Sequence, residues 1–230
     1  MGFPIKGILM RFRSLALLLA LPLFAQSPKP RVVFTTNQGS FTLELEPEAA
    51  PKTVANFLKY VRSGHYKDTT FHRVIPGFMI QGGGHLKDLK EKSAKDHVIN
   101  EADISLAKGL RNSTGTVAMA RTGDPHSASA QFFINTVDNG FLDHRSKDAQ
   151  GWGYCAFGRV VSGMETVEKI KAVKTHTQTG PLGPMEAVPV IPVIILKAEE
   201  QKAADKAGPK KGPSDKKAPA KKKPATPKAA

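Results

Sequence analysis

The sequence predicts a mainly β domain with two amphipathic helices. Short apolar runs recur through the central part of the chain and are separated by turn residues, which is typical of a sheet with many short strands. Two other stretches place apolar residues at helical spacing. The chain has 230 residues, of which 40% are hydrophobic, so it can form a packed core.

The first expected elements are a hairpin and a helix. Apolar and polar residues alternate on both sides of a loop at residues 37–40, as VVF before it and FTLEL after it, which predicts two paired strands. Pro51 suits the first turn of a helix. Apolar residues follow at positions 54, 57, 58 and 61 until Gly64 ends the pattern. This spacing predicts an amphipathic helix that covers an open end of the sheet.

The stretch at residues 66–84 reads YKDTTFHRVIPGFMIQGGG. Its Pro-Gly pair predicts a bend between two short strands. Strand alternation predicts that Met79 and Gln81 share one face and that Phe78 lies on the other. Arg73 stands among residues that favour burial, and a guanidinium keeps its charge there. Taken alone, this pattern favours a structural cation over a functional one.

Four further strands and a second helix are expected beyond this stretch. Residues 85–100 are polar and predict a loop with a short strand. Apolar residues between positions 164 and 170 recur at helical spacing and predict the second helix. Prolines at 189 and 192 place the last strand at a sheet edge or at a strand start, because proline has no N–H to donate. The four strands are expected at residues 116–121, 131–135, 153–161 and 188–196.

The stretch 66–84 resembles the signature of the cyclophilin family of peptidyl-prolyl isomerases. The later blocks MARTG, SAQFFIN, FLD and YCAFGRVVSGME resemble further blocks of that family, in the same order. The resemblance covers residues 31–197. It implies a closed eight-stranded antiparallel β-barrel capped by two α-helices. It also implies an enzyme that isomerises X-Pro bonds of unfolded or nascent proline-containing polypeptides, without a metal or a cofactor.

Isomerisation requires stabilisation of a twisted amide, because resonance gives the planar bond a barrier of about 18–20 kcal/mol. A positioned cationic donor and an apolar pocket that excludes water can supply it. By resemblance, the catalytic residues are Arg73, the guanidinium donor, together with Gln81 and Phe78. The resemblance assigns substrate binding to nine further residues, with backbone pairing at positions 120–122: Met79, Ala120, Arg121, Thr122, Gln131, Phe133, Phe141, Leu142 and Tyr154.

Several positions depart from patterns that are common in the family. Arg121 stands where many members have asparagine, which has no consequence if only its backbone is used. Tyr154 stands where many eukaryotic members have histidine and bacterial ones often tyrosine. Phe141 replaces a tryptophan common in eukaryotic members, so we expect weak cyclosporin binding. His72 lies on the strand face opposite to Arg73, and we expect it to be structural.

Both ends of the chain predict segments outside the domain. Residues 1–25 combine basic residues with the apolar run LALLLALPLF, which is typical of a signal peptide and short for a membrane span. We expect cleavage near Ala25 and export to the periplasm. Residues 198–230 are rich in Lys, Ala and Pro, which predicts a disordered tail. This tail supplies most of the formal charge of +14, so the domain itself is only mildly basic.

The sequence favours an exported, monomeric isomerase that assists protein folding. One alternative is a module that binds proline segments without turnover, although Arg73, Phe78, Gln81 and Phe133 are all present. Another is a tail-driven binder of nucleic acid, and the tail of the isomerase itself is expected to make weak contact with anionic surfaces. Cys155 is the only cysteine, which excludes an internal disulfide. The histidines lack metal-ligand spacing, so no metal site is expected.

Overall fold

The computed structural model describes residue 2, residues 28–181 and residues 183–201. Apart from residue 2, the predicted signal peptide lies outside these residues, and so does the predicted tail beyond residue 201. The described chain forms three α-helices, α1 (Pro51–Arg62), α2 (Ala102–Ala107) and α3 (Met164–Lys171), and a 3-10 turn at Gly140–Leu142. Its strands are β1 (Arg31–Thr36), β2 (Gly39–Leu45), β3 (Thr69–Thr70), β4 (Arg73–Ile75), β5 (Met79–Gly82), β6 (His85–Leu86), β7 (Thr116–Met119), β8 (Phe132–Asn135), β9 (Ala156–Ser162), β10 (Thr175–Gly180), β11 (Gly183–Pro189) and β12 (Ile195–Glu200).

Eight strands form one antiparallel sheet in the order β12-β1-β2-β9-β7-β8-β5-β4, and this sheet curls into a half-barrel. The prediction of a closed barrel is corrected here, because the described edge strands β4 and β12 share no ladder. Strand β4 has only three residues, and β11 packs beside it. Backbone hydrogen bonds still connect the segment before β4 to the chain at the start of β12. The Phe71 N–H donates to the Val193 carbonyl at 2.9 Å, and the Asp68 N–H donates to the Ile195 carbonyl at 2.9 Å.

Aromatic rings fill the interior of the curled sheet. Phe34 is fully buried, stacks on Phe41 with ring centroids 5.2 Å apart, and lies 5.3 Å from Phe132. Phe57 of α1 joins the same cluster, 4.9 Å from the ring of Phe157. Each buried aromatic side chain removes about 150–250 Å² from water. The rings are therefore a main source of the hydrophobic stabilisation of the domain.

Helix α1 confirms the first predicted helix and buries the expected apolar face. Its N-cap residue, Ala50, has no polar side chain for the first N–H groups of the helix. The buried carboxylate of Glu101 accepts hydrogen bonds from the Lys52 N–H (3.1 Å), the Thr53 N–H (2.8 Å) and the Thr53 hydroxyl (2.9 Å). A negative charge at a helix N-terminus is also favoured by the helix dipole. The segment before α2 thus stabilises the start of α1.

Helix α3 confirms the second predicted helix, but α2 adds a third that the sequence did not indicate. Helix α2 has six residues and buries only Ala102 and Ser105, so it leaves no apolar periodicity to detect. Strands β10 and β11 form a separate hairpin, and only Val188 and Pro189 of its described residues are buried. No helix in the described part of the chain is long and apolar enough to cross a membrane.

The last predicted strand is divided in the structure. Residues 188 and 189 end β11, residues 190–194 are irregular, and β12 begins at Ile195. Strand β12 then continues to Glu200, and Ala198 lies opposite Phe34 of β1. Pairing therefore extends three residues beyond the predicted domain end at residue 197.

Candidate active site

One row of residues crosses the outer face of the curled sheet. Arg73 in β4 lies opposite Gln81 in β5, and Gln81 lies opposite Phe133 in β8. Phe133 in turn lies opposite Ala118 in β7. Directly opposite residues of an antiparallel pair project to the same face. The neighbouring row, which includes the fully buried Ile80, faces the interior core.

A cavity of about 360 Å³ opens over this row. Ten of the twelve site residues predicted by resemblance line it: Arg73, Phe78, Met79, Gln81, Ala120, Arg121, Phe133, Phe141, Leu142 and Tyr154. Thr122 and Gln131 do not line it. The structure therefore brings together residues from five separate parts of the chain, as the resemblance implies.

The floor of the cavity is apolar. Met79, Phe133 and Leu142 are at most 8% exposed and form a second hydrophobic cluster, separate from the interior core. Phe78 stacks on Phe141 with ring centroids 5.8 Å apart, and Phe141 is 64% exposed at the rim. The strand-alternation prediction for Phe78 is wrong, because this residue lies in the turn before β5 and alternation does not apply to it.

The Arg73 guanidinium is partly buried at the side of this floor. It takes part in none of the ion pairs formed within residues 28–181 and 183–201. Its strand neighbour Gln81 is held by a hydrogen bond from its Nε2 to Oε1 of Gln131, at 3.1 Å. Gln131 thus orients the side chain of Gln81. A cation without a protein counter-ion beside an apolar floor suits a ligand with a developing lone pair or a carbonyl.

Gly84 makes room for the Gln131 side chain. A Cβ at position 84 would lie 2.2 Å from Cγ and 2.4 Å from Cδ of Gln131, so the Gln131 side chain would have to move. Gly82 and Gly83 are similarly confined, the first by Phe71 and the second by Tyr66 and by the ring of Phe132. The glycine run at the end of the signature is therefore a steric requirement of the site wall.

Arg121 is fixed at the other end of the cavity. Its Nε donates to the Gly153 carbonyl at 3.0 Å and its Nη1 to the Thr122 carbonyl at 2.9 Å. Its guanidinium carbon lies 4.6 Å above the centre of the Tyr154 ring, which is a cation–π arrangement. The Tyr154 ring meets Phe133 edge-on, with centroids 5.6 Å apart.

The backbone of residues 120–122 is only partly available for pairing. The Ala120 N–H donates to the Gln131 carbonyl at 3.0 Å, and the Thr122 N–H donates to the Ser127 hydroxyl at 2.9 Å. Within the described residues, the backbone N–H and C=O of Arg121 have no hydrogen-bond partner. Of the three residues, Arg121 alone offers both backbone groups to an extended ligand.

A sequence profile described as "Cyclophilin type peptidyl-prolyl cis-trans isomerase/CLD" matches residues 31–200. The chain belongs to the cyclophilin-type peptidyl-prolyl cis-trans isomerases. It is 55% identical over 168 residues to such an isomerase of Streptomyces antibioticus, which covers 73% of this chain and 96% of the relative. It is 52% identical over 164 residues to peptidyl-prolyl cis-trans isomerase B of Escherichia coli, which covers 71% of this chain and 95% of the relative.

Solved cyclophilin structures share the fold. A crystal structure of a cyclophilin-type isomerase from Cryptosporidium parvum has a TM-score of 0.59 at 26% identity, covering 76% of this chain and 98% of that one. A second crystal structure of that protein was determined in the presence of the dipeptide Ala-Pro. The family assignment places this cyclophilin among the peptidylprolyl isomerases.

A buried asparagine network supports the cavity of this cyclophilin, and no sequence pattern indicated it. Asn139 donates to the Phe78 carbonyl (2.9 Å) and to Asn135 Oδ1 (2.8 Å). Asn112 donates to the Tyr154 carbonyl (3.0 Å) and to Asp143 Oδ1 (3.0 Å). These polar side chains are at most 7% exposed. Except for the Asn139–Asn135 bond, the partners are remote in sequence, so no local motif could have revealed the whole network.

His72 does not line the cavity and is buried in the segment just before β4, so strand alternation does not apply to it either. Its ring packs against that of His85 with centroids 4.2 Å apart, and Nδ1 of each ring is buried without a hydrogen-bond partner among the described residues. Burial, together with the neighbouring His85 and Arg73, lowers the pKa of His72 from 6.5 to about 3. Burial also lowers the pKa of His85. No group of three or more His, Cys, Asp or Glu in the described ranges could hold a metal ion.

Proposed function

We propose that this cyclophilin isomerises X-Pro bonds by stabilising the twisted amide with the Arg73 guanidinium. The observation that supports this is a guanidinium without a carboxylate partner that borders an apolar cavity of about 360 Å³. The substrate class follows from the relative that was crystallised in the presence of Ala-Pro. Proline-containing unfolded or nascent polypeptides are therefore the proposed substrates.

The proline ring binds the floor formed by Met79, Phe133 and Leu142. When the X-Pro bond twists, resonance is lost and the imide nitrogen regains a lone pair. The Arg73 guanidinium donates a hydrogen bond to this nitrogen, or to a carbonyl oxygen as it swings. Because the floor excludes water, this hydrogen bond is stronger than it would be in solvent. No covalent intermediate and no net proton transfer are needed.

Two further contacts hold the substrate chain. The Arg121 backbone N–H and C=O pair with the substrate as a short antiparallel strand, for which their lack of other partners suits them. Gln81, oriented by Gln131, binds the substrate backbone beside Arg73. Phe78 and Phe141 enclose the proline from the rim.

Substitution of Arg73 tests this mechanism. Arg73→Ala should lower kcat/KM for short X-Pro peptides by about 10²–10³-fold, because a preorganised electrostatic donor is lost. Arg73→Lys keeps the charge but lacks the planar fork of donors, so it should restore only part of the activity. The matched control is Arg145→Ala, which removes an exposed arginine outside the cavity.

The readout is exchange NMR on the peptides, with thermal unfolding to confirm that each variant is folded. Near-wild-type turnover of a folded Arg73→Ala variant would contradict the mechanism. If the wild-type protein binds proline peptides but does not accelerate their isomerisation, it is a binding module.

We further propose that the protein is exported to the periplasm as a monomer and that it assists the folding of exported proteins there. Support comes from the sequence of residues 1–25. N-terminal sequencing of protein from fractionated cells should find the mature chain in the periplasm, starting just after Ala25. An uncleaved chain in the cytoplasm would contradict this proposal.

The basic tail is proposed to contact anionic surfaces weakly. Removal of residues 202–230 should leave peptide turnover and thermal stability unchanged and should abolish salt-dependent binding to anionic vesicles. A large drop in the melting temperature on truncation would instead indicate that the tail is structural.

A further inference from the structure

The cavity of this cyclophilin has cationic side chains and no anionic ones. Arg73 and Arg121 both line it, and none of the other lining residues is acidic. Neither arginine forms an ion pair within the described residues. Four other described arginines do pair with carboxylates: Arg31, Arg62, Arg111 and Arg159. The remaining described arginine, Arg145, also has no carboxylate partner but lies outside the cavity. Two of the three described arginines without a carboxylate partner therefore line the cavity where the substrate binds.

Arg121 is held rigidly, although nothing neutralises its charge. Its hydrogen bonds go to the carbonyls of Gly153 and Thr122, and its face lies on Tyr154. A guanidinium has five N–H donors, so three remain for a ligand. The orientation is already fixed, and a carboxylate that binds there loses less conformational entropy than it would on a flexible lysine.

The Gly153 carbonyl that holds Arg121 is itself fixed. It also accepts a hydrogen bond from Asn100 Nδ2, at 3.1 Å. Gly153 has a positive φ of 68°, and a Cβ there would lie 2.5 Å from the Leu142 carbonyl oxygen. Since Leu142 forms part of the apolar floor, the support of Arg121 and the proline floor are packed directly together.

The guanidinium lies within reach of residues next to a bound proline. Its carbon is 4.6 Å from the centre of the Tyr154 ring, and that ring centre is 5.6 Å from that of Phe133. Arg121 is therefore at most about 10 Å from the ring of Phe133, while an extended chain advances about 3.3 Å per residue. A side chain within three residues of the proline can meet it.

We propose that the Arg121 side chain makes this cyclophilin selective for X-Pro segments that carry an acidic side chain within three residues of the proline. The selectivity rests on the isomerase function proposed above and names the substrate class of that same site. The carboxylate accepts hydrogen bonds from the free N–H groups of Arg121. Because ground state and transition state share this contact, it lowers KM and leaves kcat unchanged.

The test compares pairs of proline peptides that differ at one position, where one peptide has glutamate and the other has glutamine. The position is moved through the three residues before the proline and the three residues after it. In the wild-type protein, kcat/KM should favour glutamate over glutamine by about three- to tenfold at one or two positions. The difference should lie in KM. The ratio should fall towards one between 20 mM and about 500 mM salt, since the carboxylate is partly exposed to solvent.

The ratio of kcat/KM for the glutamate peptide to kcat/KM for the glutamine peptide, measured within one variant, isolates the role of Arg121. Arg121→Gln should bring it to about one, and Arg121→Lys should leave an intermediate value. Equal rates for glutamate and glutamine peptides at every position in the wild-type protein would overturn the proposal, as would an unchanged preference in Arg121→Gln. If Arg121→Gln does not fold, a wild-type ratio that does not respond to salt overturns it. Failure of the underlying isomerase function is distinguishable, because the wild-type protein would then accelerate neither peptide.

Discussion

The side-chain amide of Asn139 donates a hydrogen bond to the backbone carbonyl of Phe78, 2.9 Å away. Asn139 immediately precedes the 3-10 turn that carries Phe141 and Leu142. One buried amide thus connects two neighbouring walls of the cavity, the turn that carries Phe78 and the 3-10 turn that carries Phe141. The rings of Phe78 and Phe141 stack on each other, so we expect the amide to help set the position of both walls.

Asn139→Ala should lower both stability and activity. It removes two hydrogen bonds and leaves the Phe78 carbonyl and Asn135 Oδ1 without this donor, at a cost of about 2 kcal/mol in the free energy of unfolding. The walls should also become mobile, so KM for proline peptides should rise. Urea unfolding and exchange NMR measure the two effects. The matched control is Asn37→Ala, which removes hydrogen bonds to Pro192 and Ile194 outside the cavity and should lower stability alone. An Asn139→Ala variant with unchanged KM would show that the amide does not position the walls.

Gly84→Ala should destabilise the protein, and a second substitution should reverse part of the loss. The added Cβ would lie 2.2 Å from Cγ of Gln131, so the Gln131 side chain must move and lose its hydrogen bond to Gln81. We expect a loss of about 1–3 kcal/mol in the free energy of unfolding. Gln131→Ala in the Gly84→Ala background removes the clash and should recover much of this loss. A double-mutant cycle measured by urea unfolding checks the coupling, and strictly additive losses would count against the steric explanation.

Phe141→Trp should tighten the binding of cyclosporin. Phe141 is at the rim of the cavity and 64% exposed, so an indole can replace it without repacking the core. Phenylalanine has no donor, and a ligand acceptor buried against it costs about 1–3 kcal/mol. Inhibition of the wild-type enzyme should therefore be about one to two decades weaker than that of Phe141→Trp. Turnover of short proline peptides should change little. Cyclosporin inhibition titrations of both proteins test this prediction. Equal, tight inhibition of the two would refute the role given to Phe141.

Stability should fall in acid partly through His72. Its pKa is lowered to about 3 in the folded protein from an ordinary value of 6.5, so the unfolded state binds a proton more readily. The contribution of the neutral imidazole is complete above pH 6.5 and is lost as the pH falls towards 3, on the order of 5 kcal/mol in total. His72→Phe should reduce the pH dependence of the free energy of unfolding across this window. His176→Phe, at an exposed histidine, is the control and should not. Identical pH slopes for all three proteins would contradict the prediction.

Much of the sheet and of the cavity was predictable from local patterns. The strands β1 and β2 alternate cleanly because one of their faces meets the aromatic interior, and α1 and α3 each bury one stripe. The cavity residues Met79, Gln81 and Phe133 were expected from the resemblance to the cyclophilin family, in the stretch 66–84 and in the block SAQFFIN. Such features depend on neighbours in sequence or on a face that water cannot reach.

The missed features depend on partners that are remote in sequence or on exposed surfaces. Glu101 caps α1 from almost fifty residues away, and Asn139 donates a hydrogen bond to the distant Phe78 carbonyl. The hairpin of β10 and β11 has no buried face to impose alternation. Closure of the sheet was predicted from the family, whereas the three residues of β4 share no ladder with β12.

The pairing of β1 with β12 also sets the order in which this domain can fold. Strand β1 pairs early with β2 as a local hairpin, but its second neighbour comes from the far end of the domain. A ribosome must therefore release the chain through Glu200 before the β1–β12 edge of the sheet can form. Such non-local pairing raises the contact order, and high contact order slows folding. This peptidyl-prolyl isomerase therefore completes its own sheet only after synthesis of the whole domain.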